Sequence, residues 1–135
     1  MNFIERMPDA CPPSNSSDKE LKNVCRFLPF KNENDEKNYY SMKQLGRPKR
    51  GNATDCTMCS VSLFYADGVP SFLDVKKMSF FRKCKIAVLN IPSNSGKSVE
   101  DDKRHVDFWG YQGFDYHSCV QAILDSADDL EDLVD

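Results

Sequence analysis

The chain has 135 residues, of which 40% are hydrophobic and 29% charged, and it carries a net charge of −3. Those values belong to a single folded domain able to bury an ordinary small core, and they exclude a disordered polyelectrolyte. The longest apolar run, Ile86-Ala-Val-Leu89, is far shorter than the roughly 20 residues of a membrane-spanning helix.

The opening Met1–Pro8 lacks a charged-then-apolar leader pattern, which leads to the expectation of a cytoplasmic or nuclear protein without membrane association. Residues 1–20 contain Asp9, Pro12, Pro13, Asn15, Ser16, Ser17 and Asp18 and read as a disordered arm. A compact domain over 21–127 follows, then an acidic tail over 128–135. Leu21–Phe30 is expected to dock on the core, with Pro29 ending any helix there.

A helix is expected over residues 33–45, capped by Asn32, with Gly46 in a left-handed closing position and Pro48 forbidding continuation. Residues 47–55 form a basic loop. From Met58 to Tyr65, Cys59, Val61, Leu63 and Tyr65 alternate with Ser60, Ser62 and Phe64, the period of a strand. Asp67-Gly68 signals a turn, and a helix is expected near 72–84.

Lys85–Ile91 reads as a buried strand closed by Pro92, and residues 99–105 as a charged loop. Val106–Tyr111 reads as another strand. Val120, Ile123, Leu124, Ala127, Leu130 and Val134 fit helical spacing after a Ser118-Cys-Val-Gln121 capping box. The expected fold is α+β: a small single domain with a mostly antiparallel sheet of three to five strands, two or three helices and an amphipathic C-terminal helix.

Charge is segregated along the chain. Residues 43–85 hold nine basic against three acidic residues, whereas 125–135 hold six acids and no base. Arg47, Lys49, Arg50, Lys76, Lys77, Arg82, Lys83 and Lys85 are candidate contacts to an anionic partner, nucleic acid or an acidic protein. Gly46-Arg47-Pro48 resembles the core of an AT-hook, with Leu45 where a basic residue usually stands, and the resemblance implies an arginine placed in a minor groove. Leu130, Leu133 and Val134 are candidate contacts to a protein partner on the C-terminal helix.

Cys56 and Cys59, three positions apart, could grip one zinc ion, with His117 and Cys119 completing a tetrahedral set. Six cysteines could instead form disulfides. Two glycosylation sequons, Asn15-Ser-Ser17 and Asn52-Ala-Thr54, and a basic processing-type run, Arg47-Pro-Lys-Arg50, fit that second chemistry. Ser95-Gly-Lys-Ser98 lacks the leading glycine of a phosphate loop, which would fall at Ile91. The reading is a non-catalytic regulatory or adaptor protein, of the layout common in small viral accessory proteins. A secreted or virion-associated disulfide-bonded domain and a small cysteine-dependent enzyme are the alternatives.

Overall fold

The structure, a computed structural model, describes residues 2–68, 81 and 83–130. Six strands form one antiparallel sheet: β1 (Leu21–Leu28), β2 (Val61–Tyr65), β3 (Lys85–Ile91), β4 (Gly96–Glu100), β5 (His105–Gly110) and β6 (Val120–Leu124). Their order across the sheet is β4-β5-β2-β1-β3-β6. The expected α+β domain is thereby corrected, because the helical elements with described bounds are single turns: Glu36–Tyr39, Asp55–Met58, Ala66–Gly68, His117–Cys119 and Ala127–Leu130. The helix expected near 72–84 falls on a stretch of which only Phe81, Lys83 and Cys84 are described.

Both faces of the sheet are covered, so its central strands are apolar on both sides. In β3, Ala87, Leu89 and Ile91 enter one layer with Leu21, Val24, Leu63, Val106 and Phe108. Ile86 and Val88 enter the opposite layer with Cys25, Phe27, Phe64 and Leu130. Asn23 sits at a bulge in β1 with φ 54, a conformation asparagine tolerates, and its N–H donates to Asn90 Oδ1 at 2.9 Å.

The C-terminal segment shows why helical spacing misled. Val120–Leu124 pairs with β3, and the register slips by one residue between Leu89↔Val120 and Val88↔Ala122. That bulge lets Val120 and Ile123, three apart, pack on the same layer, while Ala122, Leu124 and Ala127 pack on the other. A strand with one inserted residue thus imitates the helical repeat. The capping box does not form either: Ser118 Oγ donates back to the Asp115 carbonyl at 2.7 Å.

The helix expected over 33–45 shrinks to the single turn Glu36–Tyr39. Side chains there satisfy the backbone locally, with Asn32 Oδ1 accepting from the Asn34 N–H and Asp35 Oδ1 from the Lys37 N–H. Such local bonds compete with helix propagation. Gly46 does take the left-handed conformation, φ 70, with the Arg47 N–H donating to the Met42 carbonyl.

Residues 2–20, read from composition as a disordered arm, run along the β4–β5 side of the sheet. The Ile4 N–H donates to the Gly110 carbonyl, and Ser17 and Ser98 exchange both backbone hydrogen bonds. Asp18 accepts from the Tyr111 hydroxyl at 2.8 Å, and Lys19 pairs with Glu100 at 2.7 Å. The arm therefore supplies ladder partners to β4, the edge strand that the charged-loop reading of 99–105 left out.

Candidate anion-binding loop and adjoining cavity

The segment 47–52 leaves the sheet between β1 and β2 and is exposed at every residue. Its two ends are fixed. On the near side, the Arg47 N–H is held by the Met42 carbonyl at 3.0 Å and the Lys43 N–H by the Met58 carbonyl at 3.0 Å. On the far side, Thr54 caps the turn Asp55–Met58 in a reciprocal capping box with Thr57. The buried indole of Trp109 on β5 then donates to the Cys56 carbonyl at 2.9 Å.

Cys56 is also joined to Cys11 by a disulfide spanning 45 positions. The loop, the arm and β5 are thus tied at one point. Nothing in the spacing of six cysteines singles out Cys11 as the mate, because the two sulfurs meet only once the arm lies against the sheet.

Electrostatically the loop is a small positive surface. Among the described residues Arg47 and Arg50 hold no ion pair, while Lys49 Nζ meets Asp55 at 2.7 Å in an exposed contact. Lys49 holds the Asp55 carboxyl below its usual range, first through that hydrogen bond and then through its charge, with Lys43 adding to the effect.

Two of the remaining predicted basic contacts, Lys83 and Lys85, are described. Lys76, Lys77 and Arg82 lie outside the described residues, and Lys83 is exposed. Lys85, at the start of β3, pairs with Glu33 at 3.3 Å, three strand positions from β5. The predicted protein contacts fare similarly: Leu130 is 1% exposed inside the second apolar layer, and Leu133 and Val134 lie outside the described residues.

The four candidate zinc ligands take separate roles. Cys56 has no thiolate to offer while bonded to Cys11. Cys59 and Cys119 are buried, and burial pushes both thiols up from their ordinary value. His117 is exposed and meets the Tyr39 ring edge-on at 5.1 Å. Among the described residues no group of three or more His, Cys, Asp or Glu side chains is arranged to hold a metal ion.

Beside the loop's foot lies a cavity of about 260 Å³, reached by Cys59, Trp109 and His117. Its walls include Tyr39 and Tyr116, stacked at 5.2 Å and 8° apart, and the carboxylates of Glu5 and Glu36. Of the neighbouring aromatic cluster, Phe108, Trp109, Tyr111 and Tyr116 are buried and Phe114 is half-buried. No family model, curated protein or solved structure matches this chain.

Proposed function

We propose that this protein is a non-catalytic, disulfide-braced binding domain that engages a polyanionic partner through Arg47, Lys49 and Arg50. One observation carries the reading: an exposed cationic segment held on its near side by the Arg47 N–H to Met42 carbonyl hydrogen bond and on its far side at Cys56, by the bond to Cys11 and the hydrogen bond from Trp109. Fixed ends reduce the ordering cost of binding, while free guanidinium groups keep their donors for phosphate or carboxylate. A disulfide persists in oxidising surroundings, which favours the secreted or virion-associated setting over the cytoplasm or nucleus. The exposed sequon residues Asn15 and Asn52 are compatible with that setting.

Titrating a DNA duplex against the protein at increasing salt tests the reading. If each of the three side chains neutralises one phosphate, affinity drops about 40-fold between 50 and 200 mM salt. Replacing all three by alanine should remove that dependence. Affinity insensitive to salt, or unchanged in the triple variant, would refute the assignment.

A further inference from the structure

The same segment carries a second property that does not depend on what it binds. We infer that the Arg50–Gly51 peptide bond is a processing site for an endoprotease of the paired-basic class, and that the cut chain persists as one two-chain molecule. The recognition chemistry is in the spacing. Arg50 would supply the basic residue on the acyl side of the cut, Lys49 the one before it, and Arg47 the guanidinium three positions back. An acidic protease cleft reads such cations through charge-assisted hydrogen bonds.

Accessibility distinguishes this run from an accidental one. Residues 47–52 are exposed, and the four residues 47–50 belong to no strand or helical turn. Gly51 has φ 57 and nothing within 4 Å of the position a Cβ would take, so the bond stands in open space. Among the described residues, the contacts of the segment that a cleft would have to displace are the exposed Lys49–Asp55 pair, the hydrogen bond from the Ala53 N–H to the Arg50 carbonyl and that from the Arg47 N–H to the Met42 carbonyl. Exposed loop tips of small and polar residues are where proteolytic nicking concentrates.

The fold then determines the product. Hydrolysis adds one water across the amide, leaving a carboxylate on Arg50 and an ammonium on Gly51. The cut falls between β1 and β2, so no ladder bond is broken. The amino-terminal piece carries β1, which lies between β2 and β3 and pairs with both. It also carries Cys11, whose mate Cys56 is on the other piece. The bond that spans the loop thus becomes an interchain link.

The test treats the full oxidised chain with an endoprotease selective for an Arg-X-Lys-Arg run and reads the masses. Without reductant a single species heavier by one water is expected; with reductant, two pieces, one ending at Arg50 and one beginning at Gly51. Arg47→Ala keeps Lys49 and Arg50 but removes the distal guanidinium, and cleavage should slow by about tenfold or more. A chain that resists cutting while a peptide of residues 45–54 is cut would overturn the accessibility argument. Pieces that separate without reductant would overturn the two-chain product. Either result leaves the salt titration untouched, so the two readings fail independently.

Discussion

Arg26 carries a charge into the middle of the sheet and meets no carboxylate within ion-pair distance among the described residues. It is 8% exposed, and its Nε and Nη1 donate to the carbonyls of Asn38 at 3.0 Å and Ser62 at 3.1 Å. Burial pulls its pKa below the ordinary arginine value, while the phenols of Tyr116 and Tyr39 act in the opposite sense. The β1–β2 pairing ends at Cys25↔Phe64, and the guanidinium bonds the Ser62 carbonyl just beyond that end. Asn38, fully buried, extends the brace by accepting from the Phe30 N–H and donating to the Asn32 carbonyl. Arg26→Ala strands two acceptors, each at a cost of roughly 1–3 kcal/mol. A clear fall in the urea midpoint is expected, and an unchanged midpoint would show that water replaces the guanidinium without loss.

At the level of elements, the β4–β5 hairpin depends on the absence of a side chain at Gly96. A Cβ there would run into the Trp109 carbonyl oxygen, with the Phe108 ring at 2.7 Å and the Gly110 Cα at 2.9 Å. Two of these neighbours are backbone and cannot swing aside. Gly96→Ala should therefore cost roughly 1–3 kcal/mol by overpacking, read as a lower thermal midpoint. Trp109 also holds the Cys56 carbonyl, so the same variant should weaken polyanion binding through the loop. Full affinity in a destabilised Gly96→Ala protein would separate the hairpin from the loop. The segment 96–100 was illegible as a strand because Gly96, Lys97, Ser98 and Glu100 present little apolar alternation; it pairs with β5 on one side, and on the other Ser98 bridges Ser17, 81 positions away.

Across the whole molecule, the Cys11–Cys56 bond closes a loop of 45 positions that contains β1. In the chain-entropy account such a link is worth about 4 kcal/mol. Reduction, or the double change Cys11→Ser with Cys56→Ser, should lower the unfolding free energy by that order in a denaturant titration. No effect would mean that the arm docks equally well without its tether. The buried Cys25 thiol and Tyr39 phenol give a second global signature. Burial pushes each up to about 12, from ordinary values of 9.0 and 10.0. Folded values above the unfolded ones mean that their contribution is complete below pH 9 and is lost as pH rises toward 12. Urea midpoints measured from pH 7 to 12 should stay level and then fall through that window; a flat profile would contradict the burial of these groups.

Local chemistry was enough for three features. The runs at 61–65, 85–91 and 105–110 became strands because alternating or continuous β-branched and aromatic residues suit a pleat covered on both faces. Gly46 turned left-handed, and the basic loop stayed exposed, because glycine and unpaired cations need no distant partner for those states. Long-range pairing settled everything else. Whether Val120–Leu124 becomes helix or strand depends on β3 being present to bond it, and which cysteine meets Cys56 depends on the arm crossing to β4 and β5. Backbone hydrogen bonds and sulfur bonds of this kind join residues far apart in the chain, and a run of neighbouring letters carries no record of which partner lies opposite.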